Sequence, residues 1–167
     1  YNRKLQKYDF YGRIVKPSVS MDADGKIYKT IVCEGRLGYL CDTLTGYFPE
    51  QYWNVKNNTY SNGKLKKRGV LEYIINLHNN KQTAEKRIYI GDVDIEDTNN
   101  ELYFGMQQHM NAWDALKEKL IDHLGGELKL RDGADGKLYL DYKKEISEVK
   151  TTKIALRKNM QKLNREI

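Results

Sequence analysis

The chain has 167 residues and a mass of 19.6 kDa, which is enough for one domain, or two small ones, with a real hydrophobic core. Hydrophobic residues make up 40% and charged residues 31%, a balance that excludes a disordered chain, and no apolar run is long enough to span a bilayer. The net charge of +6 and the pI near 9.1 raise the question of an acidic partner.

The basic residues are concentrated at the two ends. Residues 1–16 hold five basic side chains and one acidic one, and residues 143–167 hold eight basic and three acidic ones. A nucleic-acid-binding domain usually carries its basic residues on the folded surface, so this distribution disfavours nucleic acid as the partner. A non-specific nucleic-acid-binding module remains an alternative, supported only by the charge and by aromatic residues among the basic residues of the first segment.

The first forty residues predict a hairpin followed by a short helix. Residues 8–34 alternate between two faces with a period of two, around a turn rich in Asp and Gly, as expected of antiparallel strands on a partly buried sheet. Leu37, Leu40, Cys41 and Leu44 then recur at helical spacing, which predicts a helix over 36–45.

The middle of the chain predicts an irregular segment, a helix and a strand. Residues 46–65 are rich in Tyr, Asn and Gly, and aromatic loops of this kind fold back on a core or lie in an interface. Apolar side chains at helical spacing predict a helix over 67–79, and a strand over 87–95 follows. The apolar positions change sides after Gly91, which indicates a β-bulge there.

The clearest element is a helix over 112–124. Asn111 is the predicted N-cap, Trp113, Leu116 and Leu120 lie on the apolar face, and two glycines end the helix. A hairpin over 126–142 comes next, with a five-residue turn at 132–136. After a charged connection, residues 154–156 could begin another strand.

No set of residues predicts an active site. The three histidines, His78, His109 and His123, lie far apart in the sequence, and no nucleophile and base motif occurs. Asp92, Asp94 and Glu96 alternate along one strand and could meet a cation, but a solvent-facing strand side explains them equally. We therefore expect no catalytic, cofactor-binding or metal-binding residue and no enzyme activity. A peptidase or lysin domain is the less favoured alternative.

The two cysteines, Cys33 and Cys41, are too few for a disulfide framework, and their spacing fits no zinc site. We expect both to be small buried side chains in a reducing compartment. The chain starts at Tyr1 without a methionine or a signal peptide, and we expect it to be an interior segment of a longer protein.

Taken in order, several segments resemble the phage tail hub proteins, a family also described as prophage endopeptidase tail or tail-associated lysin N-terminal regions, and similar to baseplate hubs. The matching segments are residues 10–14, 31–42, 71–79, 91–93, 111–120, 124–128 and 139–142. The resemblance therefore spans most of the chain, from about residue 10 to residue 165.

This resemblance implies an α+β fold in which an antiparallel β-barrel segment, a hairpin plus a short helix, precedes an α+β insertion with two helices and a β-hairpin. Residues 1–45 would end a barrel domain, residues 46–148 would form the α+β domain, and residues 149–167 would begin the following β domain. It also implies a homotrimer at the virion tail tip, assembled in the bacterial cytoplasm, that closes the tail tube and contacts the distal tail protein ring. No membrane or small-molecule substrate is implied, and the family's lytic activity would lie in domains beyond this segment.

Overall fold

The computed structural model describes residues 11–106 and 109–146, which form an α+β fold of three sheets and two main helical segments. The strands are β1 (Gly12–Met21), β2 (Ile27–Gly35), β3 (Phe48–Asn54), β4 (Thr59–Ser61), β5 (Lys64–Gly69), β6 (Ile88–Val93), β7 (Tyr103–Met106), β8 (Glu127–Asp132) and β9 (Leu138–Lys143). The helices are α1 (Val70–Lys81), α2 (Ala112–Leu116) and α3 (Asp122–Leu124), with short 3₁₀ helices at Arg36–Asp42 and Ala84–Lys86.

The strands pair into three separate sheets. β1 and β2 form a two-stranded antiparallel ribbon, four strands form a sheet in the order β4-β5-β3-β7, and three form a sheet in the order β6-β9-β8. The β3–β5 and β6–β9 pairs are parallel, whereas the other pairs are antiparallel. None of these sheets is closed into a barrel within the described residues, so the barrel segment over 1–45 stays a prediction.

One hydrophobic core joins α1, the α2 segment and the two larger sheets. Trp53, Ile74, Leu120 and Tyr142 are all fully buried in it, and Leu40 reaches it from the 3₁₀ helix. Trp53 stacks on Phe104 at 5.3 Å between ring centroids, and its indole nitrogen donates to the Phe104 carbonyl at 2.9 Å. The polar end of this large side chain is therefore satisfied inside the core.

Residues 43–45 are bound to the segment before α2. The Thr45 backbone N–H donates to the Met110 carbonyl at 2.7 Å, and the Ala112 N–H donates to the Thr43 carbonyl at 2.7 Å. The predicted cap of the next helix is confirmed, because the Asn111 side chain accepts from the Asp114 N–H at 2.8 Å. These bonds hold the 3₁₀ helix on the same core as α2.

The bulge predicted at Gly91 is confirmed by a register shift between Ile90 and Val93 where β6 pairs with β9. Asp141 explains why glycine stands there, because a Cβ at Gly91 would lie 2.0 Å from its carboxylate oxygen. That carboxylate accepts from the Asp92 N–H at 2.8 Å and from Arg131 Nε at 2.7 Å. A side chain at position 91 would displace this buried acceptor.

Several predicted elements need correction. The helix expected over 36–45 is a 3₁₀ helix that ends at Asp42, and the helix expected over 67–79 begins at Val70 because residues 64–69 form β5. The helix expected over 112–124 is interrupted by a π-helical turn at Lys117–Ile121. Residues 46–65, expected to be irregular, contain β3, β4 and part of β5. The hairpin over 126–142 is confirmed as β8 and β9, whereas residues 8–10 and 154–156 lie outside the described residues.

Leu120 tests the packing of the π-helical turn. Its side chain is fully buried in the core, so Leu120→Ala should leave a cavity and lower the free energy of unfolding by about 2–5 kcal/mol in urea denaturation. Lys117→Ala, at an exposed position of the same turn, is the matched control and should change stability by less than about 0.5 kcal/mol. A loss below about 1 kcal/mol for Leu120→Ala would place that side chain outside the core.

Candidate functional site

The β1–β2 ribbon has one apolar face and one polar face. Antiparallel partners share a face, and the register pairs Met21 with Ile27, Pro17 with Ile31 and Ile14 with Cys33. We call this side the apolar ribbon face; its members are Ile14, Pro17, Val19, Met21, Ile27, Ile31 and Cys33, with Lys29 as the one charged side chain among them. The opposite face carries Lys16, Ser18, Ser20, Tyr28, Thr30 and Val32.

A bulge at Val15 completes the apolar face. The register passes from Ile14 opposite Cys33 to Lys16 opposite Val32, so Val15 is the extra residue on β1. Without it, strict alternation would put Ile14 on the same side as Lys16 and Ser18. The bulge turns Ile14 to the side of Ile31 and Cys33 and extends the apolar face to the base of the ribbon.

The apolar ribbon face is open to solvent. Ile14, Val19, Met21 and Ile27 are 62–72% exposed, whereas the aliphatic residues of the core are almost completely buried. The sequence predicted a partly buried sheet, and that prediction is wrong for the residues described. Scattered exposed apolar residues are ordinary, but a contiguous face of β-branched and aliphatic side chains indicates an interaction surface.

Arg13 anchors the base of the ribbon to the body. Its guanidinium donates to Glu34 at 2.8 Å, to Asp42 Oδ1 at 2.8 Å and to the Gly38 carbonyl at 3.3 Å. These bonds raise the pKa of Arg13 above its ordinary value, and the Arg13 hydrogen bond in turn lowers the pKa of Asp42. Gly38 permits this arrangement, because a Cβ there would overlap the Glu34 side chain.

Arg36 forms a second connection across the body. Its guanidinium makes two hydrogen bonds to the carboxylate of Asp132, at 2.7 and 2.9 Å, and lies 4.9 Å from the ring centroid of Tyr11. The 3₁₀ helix is thus tied both to the ribbon and to the β8–β9 hairpin. The ribbon base is held by two arginines, and the turn at 22–26 projects away from them.

The aromatic segment 46–65 divides between core and surface. Phe48 and Trp53 pack together at 5.5 Å between centroids, while Tyr47, Tyr52 and Tyr60 stay 48–68% exposed. The expectation that such a loop folds back on a core therefore holds for some of its rings only. The exposed tyrosines are not part of the apolar ribbon face.

The chemistry-bearing residues do not come together. His78 is buried, His109 and His123 are exposed, and both Cys33 and Cys41 are exposed, which corrects the expectation that they are buried. The pKa of Cys41 is raised by partial desolvation and by the negative charge of Glu34, so its thiolate is disfavoured.

Asp92, Asp94 and Glu96 point to solvent, and Asp92 lies 3.4 Å from Lys143 Nζ. Within residues 11–106 and 109–146, no three His, Cys, Asp or Glu side chains are grouped as metal ligands would be. No helix in the same part of the chain is both long enough and apolar enough to span a membrane.

His78 has a structural environment. Its Nδ1 lies 2.9 Å from Thr43 Oγ1, and its Nε2 lies 2.9 Å from the Lys86 carbonyl. Burial lowers the pKa of the imidazole, although the Lys86 carbonyl opposes that shift. The ring connects α1 to the segment before β6 and to the residue that follows the 3₁₀ helix. These structural contacts are sufficient to explain a buried histidine at this position.

Because the pKa of His78 is lower in the folded state, the unfolded state binds its proton more readily. The stability that the neutral ring contributes is present above the ordinary pKa and is lost as the pH falls through the folded value. We expect the free energy of unfolding to fall between about pH 7.5 and about pH 5.5, measured by urea denaturation. His78→Gln should flatten this dependence, whereas His123→Gln, at an exposed position, should retain it. Equal slopes for wild type and His78→Gln would contradict the assignment.

Comparison with protein-family models, with curated proteins and with solved structures finds no match to this chain.

Proposed function

We propose that this protein is a non-catalytic structural component of a phage or prophage tail tip, a trimeric baseplate hub that closes the tail tube and contacts the distal tail protein ring. The order of the hub-like segments along the chain supports this identity, and the apolar ribbon face supports an assembly role. The proposed location is the virion tail tip, after assembly in the bacterial cytoplasm. In this proposal residues 1–45 end a barrel domain, and residues 149–167 begin the next β domain.

The observation that carries the proposal is the apolar ribbon face. A two-stranded ribbon is marginally stable by itself in water, and this one places few of its side chains against the core. Full burial of an Ile, Val or Met side chain is worth about 1.5–3 kcal/mol, so a partner that covered this face would gain substantially. The most exposed members of this face, Ile14, Val19, Met21 and Ile27, are 62–72% exposed and would supply most of the apolar area that such a contact buries.

Copies of the same protein are the proposed occupants of this face. Both outer edges of the ribbon lack a strand partner in the part of the chain that the structure describes, so further strands can extend it into a larger sheet. A closed sheet would cover the apolar side and remove both edges. Lys16, Lys26 and Lys29 keep the isolated ribbon soluble, since exposed lysines discourage unspecific edge pairing.

The arrangement of the chemical groups supports a structural role more than an enzymatic one. The buried imidazole of His78 is engaged on both nitrogens by Thr43 and Lys86. The raised pKa of the Cys41 thiol disfavours its thiolate, and the acidic strand residues face solvent or basic side chains. These observations support a function that depends on surface contacts with other proteins.

The trimer can be tested in the full-length protein by light scattering coupled to size exclusion. We expect a homotrimer at tens of micromolar, and we expect Ile27→Glu with Ile31→Glu to shift it toward monomer, because two charges would enter the apolar interface. Ser18→Glu with Thr30→Glu is the matched control, since this cross-strand pair lies on the polar face of the same ribbon and should leave the trimer intact.

Circular dichroism should show that both double variants retain the wild-type fold. A wild-type protein that is stably monomeric or dimeric at these concentrations would contradict the trimeric hub. Equal effects of the two double variants would show that the apolar ribbon face is not the contact.

A further inference from the structure

A cavity of about 260 Å³ opens beside α1 and is lined by residues other than those of the apolar ribbon face. Its volume is near the lower end of the roughly 300–1,000 Å³ range of small-ligand pockets. The lining residues are Asn58, Arg68, Glu72, Tyr73, Asn76, Leu77 and Asn80. Amide, carboxylate and guanidinium groups line this cavity together with one aliphatic and one aromatic side chain.

Arg68 is held in place without an acidic partner. Its guanidinium lies 4.8 Å from the ring centroid of Phe48, and Phe48 packs edge-on against Tyr73 at 5.3 Å and Trp53 at 5.5 Å. Within the described residues this guanidinium makes no ion pair. A stacked arginine with free N–H groups is suited to bind a carboxylate through two parallel hydrogen bonds.

Glu72, Asn76 and Asn80 follow one another at intervals of four residues on α1, so they lie on the same side of the helix. Both oxygens of Glu72 accept from Asn58, one from its backbone N–H at 2.7 Å and one from its side-chain amide at 3.0 Å, which fixes the carboxylate against the cavity wall. Asn76 and Asn80 make no side-chain hydrogen bond to any residue that the structure describes. Each amide therefore offers two donors and an acceptor to a ligand.

We propose that this cavity binds a carboxylated sugar, with the carboxylate on Arg68 and hydroxyl groups on Asn76, Asn80 and Glu72. The amides and Glu72 combine donors with acceptors, as vicinal hydroxyl groups require, because each hydroxyl both donates and accepts. Leu77 and Tyr73 provide apolar surface for the C–H groups of the ring. The sequence analysis predicted no small ligand, and this proposal does not depend on the trimeric hub.

The charges of the lining disfavour other ligand classes. A phosphate or a polyanion would meet the carboxylate of Glu72 beside a single cation, and a hydrophobic molecule would leave the arginine and the amides without partners. A neutral sugar would satisfy the amides and leave Arg68 unpaired. A single carboxylate on a hydroxylated ring satisfies both kinds of group.

The test is a titration of the ¹⁵N-labelled protein, followed by heteronuclear NMR at constant ionic strength, with D-glucuronate, D-glucose and acetate as probes. We expect saturable shifts of the side-chain amide signals of Asn76 and Asn80 with glucuronate, and at least about fivefold weaker binding of glucose and acetate. Arg68→Met keeps an unbranched side chain over Phe48 and should weaken glucuronate binding by at least about tenfold. Lys66→Met, an exposed position of the same strand outside the cavity, is the control and should bind as wild type does.

An absence of saturable shifts with glucuronate up to about 50 mM would overturn the proposal. Acetate that matched glucuronate in affinity would also overturn it, because the site would then bind the carboxylate alone. Unchanged binding in Arg68→Met, with a well-dispersed spectrum, would remove Arg68 from the site. None of these outcomes bears on the trimer, which light scattering measures independently.

Discussion

The orientation of the β1–β2 ribbon on the body of the protein depends on Arg13. It lies at the base of β1, and its guanidinium joins Glu34 at the end of β2 to Asp42 and Gly38 in the 3₁₀ helix. The ribbon contributes little apolar surface to the core, so its orientation rests on these charge-assisted bonds more than on packing. All of them are partly exposed, and their strength is therefore moderated by solvent. A ribbon held in this way has a defined base and a free tip.

The core and the ribbon differ in how far their apolar side chains are buried, and this difference supports separate roles in stability and in assembly. The large apolar side chains of the core, such as Leu40, Trp53 and Tyr142, are covered, and buried polar groups such as His78 and Asp141 have hydrogen-bond partners. In the ribbon, side chains of the same apolar type stand in solvent on one side. An uncovered contiguous apolar face beside a well-covered core supports the assembly role proposed for the ribbon.

The cavity beside α1 adjoins the four-stranded sheet, and it offers hydrogen-bonding and charged groups where the ribbon offers an apolar face. Arg68 lies over Phe48, whose aromatic cluster with Trp53 and Tyr73 packs on the core, whereas Glu72 is held by Asn58. Packing that stabilises the fold therefore also orients Arg68. The apolar ribbon face and the cavity draw on separate residues, so an assembled tail component could use one for its neighbours and keep the other open to solvent.

The elements with a strong local signal could be read from the sequence. The apolar period of residues 112–124, the cap at Asn111 and the turn at 132–136 depend on local spacing, sterics and hydrogen bonding. The glycine at the β6 bulge was visible as a change of the apolar side, but the reason for it is the distant Asp141. Within residues 46–65, expected to be irregular, β3 pairs with β5 and β7 across intervening segments, and such pairing leaves no local period. In contrast, β4 and β5 are joined by the two-residue turn Asn62-Gly63, a local hairpin signal that the sequence does carry.

For the candidate site, the sequence by itself determined the alternation of β1 and β2, since apolar and polar residues change places every second position. It could not show whether the apolar side is covered, and it misplaced Cys33 for that reason. Burial is a property of what packs against a strand, and only the tertiary structure shows that nothing described does so here. Only the tertiary structure shows the bulge at Val15 and the hydrogen bonds of Arg13 to Glu34, Asp42 and Gly38. The same is true of the cavity that Arg68 lines together with Asn76 and Asn80. Each of them depends on residues that are distant in sequence or on a register that local propensity does not specify.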